Sequence, residues 1–265
     1  MADVSESQTS GFWRVGSIAN PTIFMRLSEK MLPWLTVVTV ILFAIGLTMA
    51  FRAPPDYQQG EAVRIMFVHV PAAWLAMACY TLIALSSAGY LIWRHPLADV
   101  SAKAAAPIGA VFTLLALVTG SLWGRPMWGA YWVWDARLTS VLILFFLYLG
   151  LIALWQAIED QSKAGRAAAI LAIVGSVNIP IIHFSVVWWN TLHQGASVFR
   201  ADGPTIAPVF LWPLFLMMGA FTFLFLALHL TAMRSEIRRR RIATMLARRA
   251  NQATVPATVG ASQTP

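Results

Sequence analysis

Charge is scarce in this chain of 265 residues. Asp, Glu, Lys and Arg make up 11% of it, where a soluble domain carries about 25%. Cysteine is scarcer still, with Cys79 standing alone. One cysteine excludes a disulfide framework, a CxxC redox pair and a CxxCH cofactor-attachment motif. Within an apolar run, as here, it acts as a small hydrophobe. None of the three lysines, Lys30, Lys103 and Lys163, follows a glycine, so a GxxxxGK(S/T) loop and the ATP hydrolysis it supports are excluded. Acidic residues are outnumbered 11 to 19, leaving a formal charge of +8. The basic residues gather beside apolar runs, above all at Arg238–Arg241. That placement suits a flank facing anionic membrane lipid and not a nucleic-acid surface.

Apolar residues, by contrast, make up 58% of the chain, with 12 Trp and 15 Phe, and the mean hydropathy is +0.67. Six uncharged runs stand out, at roughly 32–51, 70–93, 104–122, 139–157, 167–188 and 207–232. Each approaches the ~20 residues that a helix needs to cross about 30 Å of hydrocarbon. The expected fold is all-α, a polytopic membrane bundle of six transmembrane helices. The expected organisation is an N-terminal segment 1–30, a membrane domain 31–233 and a tail 234–265, basic at first and then disordered. The first 30 residues lack the layout of a signal peptide. No span carries Asp, Glu, Lys or Arg in its core. A charge there costs at least about 2.5 kcal/mol and marks an ion or proton pathway, so proton-coupled transport is disfavoured.

Of the 19 Lys and Arg, 14 fall on the side that holds both termini, and Arg52, Arg64, Arg125, Arg137 and Arg200 on the other. The positive-inside rule then puts both termini in the cytoplasm and the three loops after spans 1, 3 and 5 in the periplasm of a bacterium. Those loops are the chemically dense ones. They run from Phe51 to about Phe67, from about Trp123 to Arg137, and from about Trp189 to Ala207.

Five histidines are present. His69 precedes Pro71, a residue suited to the first turn of a helix, which puts residues 65–70 in the outer interface. His193 lies just past span 5. By parity, His69, the second loop and His193 share one face. Two neutral imidazoles from separate elements can ligate a metal or both axial sites of a haem iron; equally, interfacial histidines hydrogen-bond lipid or backbone. His183 is either a third ligand candidate or a hydrogen-bonding residue within the bundle, near carbonyls freed at Pro180. His95 and His229, at the cytoplasmic ends, read as interface residues.

The second loop packs Trp123, Trp128, Tyr131, Trp132 and Trp134 into 13 residues, with Gly124 and Gly129 among them. That exceeds an interfacial aromatic belt and suits a large, flat, apolar ligand. Were residues 128–135 helical, Trp128, Trp132 and Asp135 would share a face, with Trp134 turned toward the bundle. Arg64, Arg125 and Arg137 at the edges can pair with carboxylates such as porphyrin propionates. For Arg137, a salt bridge to Asp135 or a snorkelling anchor is an equal reading.

The stretch WGAYWVWDARLTS (128–140) resembles the tryptophan-rich WWD signature of haem-handling membrane proteins of cytochrome c biogenesis. APPDYQQGEAVRIMFVHVPAAW (53–74), PIGAVFTLLALVTGSLWGRPMWG (107–129) and NIPIIHFSVVWWNTLHQGAS (178–197) are similar to the haem exporter protein C (CcmC) family. Roughly residues 25–235 are covered; the larger WWD relatives, CcmF and CcsA, carry more spans. The resemblance implies a protein that holds haem b non-covalently at the outer face of the inner membrane. It attaches haem to the periplasmic haem chaperone CcmE, with the small protein CcmD assisting and the CcmAB transporter releasing the loaded chaperone. The family's axial ligands fall on His69 and His193, its platform on Trp128, Trp132, Trp134 and Asp135, and its basic residue on Arg137. Such a protein positions a cofactor and is not an enzyme. Two other readings stay open: a subunit that transports haem or another small molecule across the membrane, and a cytochrome b-like electron-transfer subunit.

Overall fold

The computed structural model describes residues 20–254 apart from 196 and 199. Seven α-helices account for most of them. They are α1 (Pro21–Arg52), α2 (Met66–Trp93), α3 (Pro96–Trp128), α4 (Ala136–Ala157), α5 (Gln161–Gly175), α6 (Asn178–Trp188) and α7 (Pro208–Thr254). A 3₁₀ turn, Glu61–Ile65, leads directly into α2. Taken together, α5 and α6 form one apolar stretch, so six segments are long and apolar enough to cross a membrane. The described residues are thus all-helical, with six candidate spans, as the sequence leads one to expect.

Local chemistry sets the helix ends. The Asn20 side chain accepts from Thr22 N at 2.8 Å ahead of Pro21. Asp135 accepts from Leu138 N at 2.8 Å, and Asp160 from Lys163 N at 2.8 Å. Each satisfies an amide that the first turn leaves without a helical partner. Hydroxyls inside the spans turn back onto their own helices: Thr39 donates to Leu35 O at 2.7 Å and Thr113 to Gly109 O at 2.7 Å. These hydroxyls are thereby satisfied without water.

α2 lies at the centre, packed on α3, α5 and α7, while α1 sits at the edge against α7. Small residues make the α2–α3 approach close: Ala72 and Ala76 on one side, Ala102, Ala105, Ala106 and Ala110 on the other, all buried. Between helices in a membrane, such small faces let backbones meet. Tyr80 and Tyr148 fill the middle edge to face, with centroids 5.2 Å apart, and Tyr148 Oη donates to Ala76 O at 2.7 Å. Cys79 is buried among them as a free thiol, the packing role its surroundings suggested.

Several local expectations are corrected. The helix begins at Met66, directly after the 3₁₀ turn, so Pro71 lies beyond its first turn, while His69 falls within that turn, at the end of α2 that lines the cavity. The stretch 129–135 is not helical, because Gly129 adopts φ 75° as the C-cap of α3 and Asp135 already caps α4. Trp134 is 77% exposed and does not bury against the bundle. His229 is no interface residue: it is 7% exposed, stacked on Phe225, with Nε2 hydrogen-bonded to Ser101 Oγ at 3.2 Å. The fifth span breaks at Ser176–Val177. A proline needs no amide partner in a first turn, and Pro180 falls in the first turn of α6. α1 starts at Pro21 and α7 runs to Thr254; the expectations for residues 1–19 and 255–265 lie outside the described residues.

Candidate functional site

At the end of the bundle where α2 begins and α3 ends, a cavity of about 250 Å³ opens between α2, α3, α4 and α6. His69, Trp123, Trp128, Trp132, Arg137 and His193 line it, with Gln59, Leu192 and Gln194 from the flanking loops. The structure therefore brings together the two histidines and part of the tryptophan-rich stretch. It leaves Arg64, Arg125, Trp134, Asp135 and His183 outside that lining.

Both imidazoles have one nitrogen committed. Thr119 Oγ1 donates its single proton to Leu115 O at 2.6 Å, so at 3.0 Å from His69 Nδ1 it is the acceptor and Nδ1 carries the hydrogen. His193 Nδ1 lies 2.9 Å from Gln194 O, and a carbonyl only accepts. In each ring Nε2 is left with its lone pair. Burial holds the His193 imidazole below the usual histidine range, which keeps it in the neutral form that a metal requires.

The aromatic wall is built by the last two turns of α3. Trp123 meets His69 edge-on, with centroids 5.6 Å apart, and its Nε1 donates to Gln59 Oε1 at 2.9 Å. Trp128 reaches the other histidine, with centroids 6.4 Å apart. A Cβ on Gly124 would sit 3.0 Å from the Trp128 ring, so glycine is what lets that indole lie flat on its own helix. Trp132 and Trp134 pack edge to face at 5.5 Å. Trp132 Nε1 is buried with no hydrogen-bond partner, as is Asp135 Oδ2.

Arg137, in the first turn of α4, donates from Nε to Ser185 Oγ at 3.0 Å and from Nη2 to the His183 carbonyl at 3.3 Å. These bonds tie α4 to α6 and hold the guanidinium at the cavity wall. The other two arginines are engaged locally. Arg64 pairs with Glu61 at 2.8 Å and donates to Ala53 O at 3.1 Å. Arg125 bonds the Gly129 carbonyl and lies over the Tyr131 ring. The His183 ring is exposed, packed against Phe184. Gln59, Thr119 and Ser185 are site residues that the sequence did not flag, since each is an ordinary polar residue whose partner is far along the chain.

A family model described as Heme exporter protein C matches residues 14–248. A Heme exporter protein C of Bradyrhizobium diazoefficiens is 60% identical over 92% of this chain and 93% of its own length. Those of Paracoccus denitrificans and Escherichia coli K12 are 49% and 48% identical, covering 87% and 82% of this chain and 96% and 87% of their own. With identity of this level along nearly the whole length, the chain belongs to the heme exporter protein C family.

Proposed function

We propose that this protein holds haem b non-covalently in the cavity between α2, α3, α4 and α6 and passes it on for c-type cytochrome maturation. The observation that carries the reading is the pair His69 and His193, on separate elements of one cavity, each with Nδ1 committed and Nε2 free. The donor set fits a porphyrin: two imidazoles for iron, indoles of Trp128 and Trp132 for its plane, and the guanidinium of Arg137 for its carboxylates. Trp132, whose buried Nε1 has no hydrogen-bond partner, is a further unsatisfied donor among the lining residues. When bound, the haem iron supplies the affinity for the two imidazoles.

The chain's own part is to bind and orient. His69 and His193 would hold the iron through their Nε2 atoms. The indoles of Trp128 and Trp132 would offer apolar surface to the ring, and Arg137 would pair with its carboxylates. Delivery is to the periplasmic haem chaperone CcmE, with CcmD assisting and CcmAB acting on the loaded complex. The reading places the protein in the bacterial inner membrane, termini in the cytoplasm and the cavity toward the periplasm. No acid, base or nucleophile is required of it. Trp134, Asp135, Arg64 and Arg125 belong to the rim, where the exposed Trp134 and the Arg125–Tyr131 pair are presented to a docking partner.

The test is a visible absorption spectrum of the purified protein beside a His69→Ala/His193→Ala double variant. A low-spin haem spectrum in the first, lost in the second, is the expected result. Haem held equally by both would overturn the ligand assignment. A spectrum lacking low-spin haem in haem-replete cells would overturn the haem reading altogether.

A further inference from the structure

The two histidines are seated differently. His193 bonds the carbonyl of the next residue, Gln194, a partner that travels with it wherever its loop goes. His69 depends on a seat built by another helix. Thr119, on α3, accepts from His69 Nδ1 at 3.0 Å, and it does so because its own proton is spent on Leu115 O at 2.6 Å. The adjoining Gly120 leaves the space for the ring, since a Cβ there would lie 3.0 Å from His69 Cε1. Trp123 closes the third side edge-on and is itself anchored by Gln59.

We infer that Thr119 is a positioning residue: through its hydroxyl, with Gly120 beside it, it fixes the tautomer and orientation of His69 so that Nε2 is the nitrogen offered to iron. This rests on the haem reading above and adds a residue to it that does not touch haem. The physical reason is general. A ligating histidine whose second nitrogen donates to a fixed acceptor is held in one tautomer and is a stronger base at the metal. A valine at position 119 keeps the shape of threonine and replaces the hydroxyl with a methyl. The His69 Nδ1–H would then lose the Thr119 hydroxyl as its side-chain acceptor, while Gly120 and Trp123 still confine the ring, so the preference for one tautomer and the basicity of Nε2 would fall.

The experiment compares wild type, Thr119→Val and Thr119→Ser as purified full chains. Each is titrated with ferric haem and followed by absorbance, and the midpoint potential of the bound haem is then measured. In Thr119→Val, haem affinity should fall by about 10- to 100-fold. The midpoint potential should rise, since a less basic imidazole favours ferric iron less. Thr119→Ser, which keeps the hydroxyl, should restore both. Wild-type affinity and potential in Thr119→Val would overturn the inference while leaving the haem reading intact. Equal losses in Val and Ser would overturn it too, because shape and not the hydroxyl would then matter. A wild type that takes up no low-spin haem would bring down both.

Discussion

Arg137 has five N–H donors in a rigid fork, and only two bonds hold it, one to Ser185 Oγ and one to the His183 carbonyl. Its head group is therefore oriented at the cavity wall with donors to spare, the arrangement that suits carboxylate recognition. Wild type should bind haem more tightly than haem dimethyl ester, in which the carboxylates are masked. Arg137→Gln should abolish that preference, since a hydrogen bond to a charged group is worth about 1.5–3 kcal/mol. Absorbance titration with the two ligands measures it. If the variant loses affinity equally for both, Arg137 acts only as the α4–α6 tie. Composition and position marked Arg137 only as one of three edge arginines, and the family resemblance alone singled it out; in the structure Arg64 and Arg125 find partners within their own loops, which leaves Arg137 at the cavity wall.

Among the helices, α3 carries most of the site. Gly120, Trp123, Gly124, Met127 and Trp128 fall at i, i+3, i+4, i+7 and i+8, which puts them on one face, and all five line the cavity. The face anticipated at 128–135 was therefore one turn or more too far along. Gly129, whose φ of 75° ends the helix, and Asp135, which starts the next, were the local signals that stop it there. At the other wall, α6 is set by the break in span five. Asn178, buried at the start of α6, donates from Nδ2 to Ser140 O on α4 at 2.9 Å. Asn178→Ala should lower the thermal midpoint modestly, corresponding to about 0.6 kcal/mol for a hydrogen bond between membrane helices. A loss several times larger in a melting curve would mean that the break itself, and with it α6, depends on this side chain.

Taken whole, the molecule is polar along its long axis. The cavity occupies one end; an ion network occupies the other. There, Arg240 pairs with buried Asp99 at 2.5 Å and with Glu236 at 2.7 Å, while Lys103 approaches Glu236 at 3.3 Å. Removing Asp99 takes one of the two carboxylates from Arg240 and leaves Glu236, so the cost falls below the ~3 kcal/mol of a buried charge left with no partner. Asp99→Ala should therefore lower the thermal midpoint measurably, while haem affinity of the folded fraction stays near wild type. A loss of haem binding without loss of stability would show that the two ends communicate. The proposed orientation has its own test. Cys79 is fully buried, so the wild-type chain should give no background with a membrane-impermeant maleimide. Tyr57→Cys, at a position 90% exposed beside the cavity end, should label from the periplasm, and Gln252→Cys, exposed near the end of α7, should not. The reverse pattern would invert the topology.

What the sequence determined by itself is the helical class, the number of apolar spans and, through their parity, the sharing of one face by His69, the tryptophan-rich loop and His193. Each follows from rules that act locally: about 20 apolar residues per span, and one change of side per crossing. Its family signature was legible for the same reason, being a contiguous run of residues. Only the tertiary structure decided which side chains meet. Thr119 and His69 are 50 residues apart, and Arg137 and Ser185 are 48 apart. A hydrogen bond between such residues leaves no periodic or compositional trace, because it depends on how two helices are rotated against each other. That rotation is set by the small faces of α2 and α3 and by the buried Tyr80 and Tyr148, and it is packing, not patterning, that turns two interfacial histidines into a pair with both Nε2 atoms free.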